Sequence, residues 1–340
     1  MNRSSFAGHA VYFAWTQFQR RQVSMEKFFG YESVFLPLRW KNGLLAKALS
    51  YFINAVSVLK YSLLNKPSVV WIQLPQVPLL WPVLLYKLIN RKTLIIADCH
   101  NAMFRKPWCK FPFGLSIIHY CDAIVVHNET QKLVAIEHGL PSELLVVLED
   151  APASISFEEM KGVIDLTNPR PWFLFPASFA EDEPISELID VAIEIPEVTF
   201  FITGSLARAK QKIDISKLPP NIHLMGFLPL EQFDWLLLHC DVVMALTKYD
   251  GIQLSVCNEA IGFGKPMLVS GTPLLRKLFP KGTVFIDNES KKDFIRGCND
   301  AIQRNSELVA EMEIFQKERW ETWQKQAELL TCSINNDVTK

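Results

Sequence analysis

One stretch of the second half, residues 250–270, combines residue types that could hold a phosphorylated ligand. The pattern predicts an acidic loop, a short helix, a Gly-Lys-Pro turn and a buried strand. Backbone N–H groups at a helix N-terminus attract anions, and three small or polar residues fall there: Gly251, Gln253 and Ser255. Glu259 lies about two turns further along and could accept hydrogen bonds from ribose hydroxyls. The stretch therefore favours a nucleotide site, although an ordinary helix with solvated acids would show the same spacing.

A second polar group, Asp98-Cys-His-Asn101, directly follows an apolar run. The carboxyl ends of buried strands are where α/β proteins place their chemistry. Asp98 could take a proton from an acceptor hydroxyl, and His100 could hydrogen-bond a sugar or a phosphate. Asn101 would face the acceptor. The alternative is a turn that Asp and Asn stabilise without any function.

An arginine pair follows the first predicted strand. Arg20 and Arg21 could bind phosphate in a bidentate manner and are predicted to contact the acceptor. No G-x-G-x-x-G occurs here, so a dinucleotide fingerprint is absent from the sequence. Two arginines on a solvated helix are the alternative.

Two further loops of the second half follow predicted strands. Residues 178–184 carry three acids ahead of a proline, which suits the first turn of a helix or the hydroxyls of a sugar. Gly204 opens a loop in which backbone can approach a ligand. Arg208 and Lys212 beyond it are the predicted cationic neighbours of a diphosphate.

Several reaction classes are disfavoured by missing motifs. The sequence holds no Walker A motif, no G-x-S-x-G, no H-E-x-x-H and no kinase signature. A D-x-D pair is also missing, so we expect no metal at the site.

Strand and helix patterns alternate along the whole chain, which predicts parallel sheets of βαβ units. The apolar runs lack alternation, as in strands covered on both faces. The predicted strands are 11–15, 33–38, 68–73, 93–97, 123–127, 144–148, 172–176, 199–203, 223–227, 242–246, 267–270 and 284–286. Helical patterns between them include 44–64, 130–138, 184–193 and 231–239.

A proline-rich segment divides these elements into two series. We predict a first Rossmann-like domain over 1–150, a linker over 151–171 and a second domain over 172–305. A closing helix over 306–330 and a disordered tail over 331–340 complete the chain. Ligands of such sheets bind beyond the strand ends, so we expect the site in a cleft between two facing domains.

The charge is unevenly distributed. Residues 1–150 hold 16 Lys and Arg against 9 Asp and Glu, although the net charge of the chain is −1. A basic first half suits nucleic acid, an anionic membrane surface or a phosphorylated acceptor. The apolar run 77–89 is too short to span a bilayer. It predicts a buried helix or, alternatively, a face that rests on a membrane.

The seven cysteines are scattered without zinc-site spacing, as expected for reduced thiols in the cytosol. The first ten residues lack an apolar core of a signal peptide. We therefore expect a cytoplasmic protein, with peripheral contact at the inner membrane face as the alternative.

Residues 250–270 resemble the signature of group 1 (family 4-like) GT-B glycosyltransferases, which runs E-G-F-G, a second Glu and a G-K-P-V turn. With the turns aligned, the second Glu falls on Glu259, which would hold the ribose. The first falls on Gly251, with Asp250 one residue earlier as its catalytic substitute. The resemblance places His100 near the donor sugar and Gly204 in the G-x-G loop. Ser178 stands where a phosphate-binding Arg is expected.

The resemblance implies two doubly wound domains and metal-independent transfer of a sugar. The donor would be a UDP- or GDP-type nucleotide sugar, with no separate cofactor and no nucleic-acid partner. The acceptor would be a lipid-linked saccharide or a polysaccharide, as in bacterial exopolysaccharide and O-antigen assembly. Family likeness favours retention of configuration, whereas Asp98 as a base would imply inversion. A UDP-sugar epimerase and a catalytically inactive partner subunit are the alternatives.

Overall fold

The computed structural model describes residues 8–40, 42–153 and 167–338. The chain divides into two compact units. The first comprises Met1–Ala151 with Glu321–Lys340, and the second comprises Pro152–Trp320. Most of the predicted linker, residues 154–166, lies outside the described residues.

The first unit is built on one parallel six-stranded sheet. Its strands are β1 (Ala10–Ala14), β2 (Tyr31–Phe35), β3 (Val69–Leu74), β4 (Leu94–Cys99), β5 (Ala123–Val126) and β6 (Leu145–Val147). Its helices before residue 151 are α1 (Arg20–Phe29), α2 (Leu44–Asn65), α3 (Leu80–Ile89), α4 (Gly114–Ile118) and α5 (Glu129–Glu137). The strand order is β2-β1-β3-β4-β5-β6, with its switch point between β1 and β3.

The second unit is built on another parallel six-stranded sheet. Its strands are β7 (Trp172–Pro176), β8 (Thr199–Thr203), β9 (Ile222–Gly226), β10 (Val242–Ala245), β11 (Met267–Ser270) and β12 (Thr283–Ile286). Its helices are α6 (Ile185–Glu194), α7 (Leu206–Lys212), α8 (Leu230–His239), α9 (Ser255–Gly262), α10 (Pro273–Leu278) and α11 (Lys291–Gln303). The strand order is β12-β11-β10-β7-β8-β9, the Rossmann order, with its switch point between β7 and β10.

Burial explains why the strands could be recognised. Every residue of β1, β3, β5, β8, β10 and β11 is buried, because helices cover both faces of each sheet. Strands of this kind show unbroken apolar runs. All twelve predicted strands and the α/β fold class are confirmed.

A long last helix, α12 (Asn305–Val338), contributes residues to both units. Four residues spaced three or four apart are buried along its second half: Trp323, Ala327, Leu330 and Ile334. This stripe continues past residue 330, so the helix also continues. The prediction of disorder from residue 331 is therefore wrong for residues 331–338.

The apolar run 77–89 forms a short 3₁₀ turn, Val77–Leu79, followed by α3. The run is helical as predicted, but only one side of α3 is buried. Among the described residues, no helix is long and apolar enough to cross a membrane.

Candidate functional site

The switch point of the second unit brings two loops together. The loop after β7 carries Asp182, and the loop after β10 carries Thr247 and Lys248. Thr247 Oγ1 donates to Asp182 Oδ2 at 2.7 Å, and the Lys248 N–H donates to the Asp182 carbonyl at 2.6 Å. A crevice at such a point is the usual ligand site of an open α/β sheet. Asp182 is one of the three acids of residues 178–184 noted in the sequence, whereas Thr247 was not singled out.

Hydrogen bonds to one of its own side chains, the Glu183 carboxylate, hold the loop after β7. Glu183 Oε1 accepts from both the N–H and the hydroxyl of Ser178 at 2.9 Å, and Glu183 Oε2 accepts from the Ala180 N–H at 3.3 Å. Arg208 Nη1 donates to the Ser178 carbonyl at 3.3 Å. The structure thus brings together Ser178 and Arg208, two of the predicted donor-binding residues. An anion at Ser178 would have to displace Glu183.

Gly204, after β8, lies against the same loop. Its φ is 127°, and a Cβ here would lie 2.0 Å from the Ala177 carbonyl oxygen. Only glycine allows this approach of two backbones. Lys212, in contrast, is the last residue of α7, about 9 Å along the helix axis from its first residue. Lys212 therefore lies at the end of α7 away from Gly204, whereas Arg208 lies in its first turn.

The helix α9 begins beyond β10 and carries the predicted nucleotide-binding residues. Its N-cap residue, Leu254, provides no side-chain hydrogen bond, as is also the case at the start of α1–α4, α6 and α8. Ser255 is exposed at the start of α9, and Gln253 lies just before it, half-buried. Glu259 is half-buried one turn later. The first turn of α9 is therefore suited to accept an anion.

The back of α9 is packed closely. A Cβ on Gly262 would lie 2.3 Å from the Ala153 carbonyl oxygen. The Ala153 N–H also donates to the Asn258 carbonyl at 3.4 Å. These contacts hold the helix, and with it Glu259, in place.

Two residues in the loop before this helix explain the departure from the signature that residues 250–270 resemble. Gly251 has a φ of 72°, a conformation that side-chain-bearing residues rarely adopt, so a glutamate would be strained there. Asp250 is exposed, and its Oδ1 accepts from the Leu274 N–H at 3.3 Å, at the start of α10. In this arrangement Asp250 caps a helix.

The first unit encloses Asp98 completely. Arg21 Nε lies 3.0 Å from Asp98 Oδ2, and the Tyr12 hydroxyl donates to the same oxygen at 2.5 Å. His127 Nε2 lies 3.1 Å from Asp98 Oδ1. Burial alone would raise the pKa of Asp98, but Arg21 and His127 outweigh it and hold that pKa well below its usual value. An enclosed, weakly basic carboxylate argues against the predicted role of Asp98 as a general base.

Arg21 is likewise turned inward. Its Nη1 donates to Asp150 Oδ1 at 2.7 Å, and its Nη2 donates to the Leu148 carbonyl at 2.8 Å. The guanidinium links α1 to β4 and to the segment after β6, so the predicted contact with an acceptor does not fit its position. Arg20 is half-buried at the first position of α1.

His100 is the member of this group that remains partly exposed. Its ring centroid lies 4.5 Å from that of His127, and its Nε2 lies 3.2 Å from Gln73 Nε2. Burial, followed by His127, lowers the pKa of His100 to about 3. The ring is therefore neutral near pH 7 and can hydrogen-bond a ligand without adding charge.

Unpaired polar atoms cluster at the same edge of the first sheet. At or just after the ends of β1, β3 and β4, four buried side-chain atoms have no hydrogen-bond partner among the described residues: Trp15 Nε1, Gln73 Oε1, Gln76 Oε1 and Asn101 Oδ1. Each such atom costs about 1–3 kcal/mol, which invites a functional explanation. The sequence prediction included Asn101 but missed the two glutamines, His127 and Asp150. All of these lie at strand ends, as Asp98 does, so the same signal would have found them.

One group in the described part of the chain has the spacing of metal ligands. Asp98, His100 and His127 each offer a ligand atom, and these atoms lie within 4.8 Å of one another. Arg21 already neutralises Asp98, so a cation here would meet a buried positive charge. The donor set therefore fits a hydrogen-bond network better than a metal.

The sequence and the fold agree with one group of known proteins. Residues 156–319 match the family model described as glycosyl transferases group 1. No curated protein matches the chain by sequence.

Solved structures resemble nearly the whole chain. HepE of Anabaena, in complex with UDP-glucose, is 13% identical with a TM-score of 0.68, over 96% of this chain and 100% of that one. Sucrose-phosphate synthase of Thermosynechococcus elongatus is 10% identical with a TM-score of 0.64, over 90% and 83%. UDP-GlcNAc 2-epimerase of Neisseria meningitidis, bound to UDP-GlcNAc, is 14% identical with a TM-score of 0.53, over 89% and 85%. Residues 156–319 are thus similar to the group 1 glycosyl transferases, and the two six-stranded units have the GT-B fold of these solved structures.

Proposed function

We propose that the protein transfers a sugar from a nucleoside diphosphate donor to a lipid-linked saccharide or polysaccharide, in the synthesis of a cell-surface polysaccharide. The observation that carries this proposal is α9. It begins at the switch point, lacks a side-chain cap and places Glu259 one turn from its first residue. HepE, which has a similar fold, is seen with UDP-glucose.

In this proposal the second unit holds the donor. The α9 N–H groups bind the diphosphate, and Glu259 accepts from the ribose hydroxyls. As the bond between the anomeric carbon and the diphosphate breaks, negative charge builds on the leaving group. The acceptor oxygen bonds to the anomeric carbon, and the proton of the acceptor hydroxyl passes to the departing diphosphate. Backbone N–H groups and Arg208 stabilise that charge, so no metal is required.

The first unit holds the acceptor. Gln73, Gln76 and Asn101 have unpaired amide oxygens that suit saccharide hydroxyls, and His100 contacts a sugar as a neutral ring. Because Asp98 is enclosed, the proposal favours retention of configuration over inversion. The acceptor lipid would bring the protein to the inner face of the membrane.

The test starts with the donor. UDP-, GDP- and ADP-sugars are screened for a rise in melting temperature, and the best donor is incubated with lipid-linked oligosaccharide while nucleotide release is followed. We expect release that depends on the acceptor and persists in EDTA. Glu259→Ala should weaken nucleotide binding at least tenfold, and Glu197→Ala, an exposed glutamate on a turn, is the matched control. Unchanged binding in Glu259→Ala would remove this carboxylate from the site.

The same assay separates the two alternatives. Conversion of a UDP-sugar without acceptor would indicate an epimerase, a reading that the likeness to UDP-GlcNAc 2-epimerase supports. Donor binding without any turnover would indicate an inactive partner subunit. The carboxylate of Glu183 inside the loop after β7 favours that alternative.

A further inference from the structure

The helix α2 exposes a more apolar face than the one it buries. Five large apolar residues, spaced three, four or seven apart, form one exposed stripe: Leu45, Leu49, Phe52, Val56 and Leu63. Leu45 is 85% exposed and Phe52 is 66% exposed. A surface helix of a water-facing protein would carry polar side chains here.

The inner face of α2 shows the reverse composition. Its buried residues are Ser50, Asn54, Val58 and Ser62. Asn54 Nδ2 donates to the Leu36 carbonyl at 2.7 Å, and the Ser50 hydroxyl accepts from the Trp40 N–H at 2.9 Å. The buried face of α2 thus carries polar side chains that hydrogen-bond within the protein, whereas its exposed face is apolar.

The neighbouring helix α3, which packs against α2, extends the same surface. Leu80, Val83 and Tyr86 are buried, whereas Trp81, Leu85 and Leu88 are exposed at helical spacing. We call the exposed stripes of the two helices the α2–α3 face. Contiguous apolar surface of this kind marks a binding site for a partner or a membrane.

The charge around the α2–α3 face identifies the partner. No Asp or Glu occurs between Glu32 and Asp98, whereas this interval holds eight Lys and Arg. Five exposed basic residues flank or interrupt the apolar stripes: Arg39, Lys60, Lys66, Arg91 and Lys92. Two acids of the described part of the chain contact these helices, and both are paired: Glu32 accepts from the Tyr61 hydroxyl, and Asp122 accepts from Lys87 Nζ. An apolar surface with a net positive border complements a bilayer with anionic headgroups.

We propose that the α2–α3 face lies on the surface of a bilayer that contains anionic lipids. The apolar stripes enter the boundary between headgroups and acyl chains, and the basic residues contact the headgroups. Neither helix spans the bilayer, in agreement with their length and composition. This proposal rests on the proposed function only for the reason for membrane contact, since a lipid-linked acceptor would be presented at the bilayer surface.

The test is sedimentation of the full chain with vesicles. Binding should be strong with vesicles that mix phosphatidylcholine and phosphatidylglycerol, weak with phosphatidylcholine alone, and reduced by salt. Arg91→Glu with Lys92→Glu should weaken binding about fivefold or more for each residue. Lys325→Glu, an exposed lysine on α12 in the same unit, is the matched control and should bind as the wild type does.

A second pair of variants tests the apolar stripes. Phe52→Glu with Leu85→Glu should abolish vesicle binding, whereas Leu329→Glu, 67% exposed on α12, should not change it. Melting temperatures of all variants show whether they fold. Wild-type binding in both double variants would overturn the proposal. So would self-association of the wild-type chain that Phe52→Glu with Leu85→Glu abolishes, since a second copy would then cover the face.

The vesicle assay needs neither donor nor acceptor, so it is independent of catalysis. Turnover of a water-soluble acceptor analogue by Phe52→Glu with Leu85→Glu should remain at the wild-type rate. If the protein bound vesicles but turned over no donor, the proposed function would be wrong and the membrane proposal would still hold.

Discussion

Arg21 Nε lies 3.0 Å from Asp98 Oδ2, although 77 residues separate the two in the chain, and both side chains are buried. The pair links α1 to β4 at the carboxyl edge of the first sheet. Asp98 also accepts a hydrogen bond from the Tyr12 hydroxyl and lies beside His127, whose ring contacts the His100 ring. The contact between Arg21 and Asp98 therefore helps to fix the position of His100. A polar network of this kind depends on every member being paired.

The first prediction is that Arg21→Met strongly destabilises the first unit. Its loss leaves the buried Asp98 carboxylate without its guanidinium partner, which costs about 3–5 kcal/mol for a broken buried ion pair. Urea unfolding followed by tryptophan fluorescence measures the change. Arg39→Met, at an exposed arginine of the same unit, should change stability by less than about 1 kcal/mol. Equal effects of the two substitutions would contradict the structural role of Arg21.

The second prediction concerns acid. The pKa values of Asp98 and Asp150 are lowered in the folded protein, because Arg21 outweighs the effect of burial in both. Carboxylates of this kind stabilise the fold fully above their ordinary pKa of 3.8, and the stabilisation is lost as pH falls below it. The free energy of unfolding should therefore drop steeply below about pH 4. In Arg21→Met this acid component should be much smaller, and an equally steep drop would refute the assignment.

The third prediction separates His100 from the carboxylates by its pH range. Burial lowers the pKa of His100 from 6.5 to about 3. Between these values the unfolded chain binds a proton that the folded protein does not, so stability should decline as pH falls from about 6.5. His100→Gln removes this contribution. A parallel decline in wild type and variant between pH 7 and 5 would show that His100 is not held neutral.

The fourth prediction compares two glycines of the second unit. Gly204→Ala should destabilise the protein and weaken donor binding, since the new Cβ would strike the Ala177 carbonyl at 2.0 Å. Gly264 also has a positive φ, 64°, but a Cβ there would meet nothing within 4 Å. Gly264→Ala should therefore cost only the ~1–2 kcal/mol of a left-handed conformation. Thermal unfolding and nucleotide titration of both variants test the difference.

The elements could be predicted from the sequence, because parallel strands covered on both faces must be unbroken apolar runs. Glu259 could be placed on a helix after β10 because helix spacing is local. The role of Asp98 could not, because its partner Arg21 is distant in sequence and the strand end that suggests catalysis also suits a buried ion pair. The tail was mispredicted because Ile334 stands in a polar stretch, and its burial shows that it continues the stripe of Trp323, Ala327 and Leu330.

The last prediction decides what Asp250 does. Its Oδ1 accepts from the Leu274 N–H at 3.3 Å, a contact that Asp250→Asn preserves and Asp250→Ala removes. If Asp250 only caps α10, Asp250→Asn should keep both activity and melting temperature, and Asp250→Ala should lose about 1 kcal/mol of stability. If Asp250 replaces the missing first Glu of the family, Asp250→Asn should lower kcat at least tenfold with an unchanged melting temperature. The capping geometry and the strained φ that a glutamate would need at Gly251 favour the first outcome. Nucleotide release and thermal unfolding, measured on the same preparations, distinguish the two.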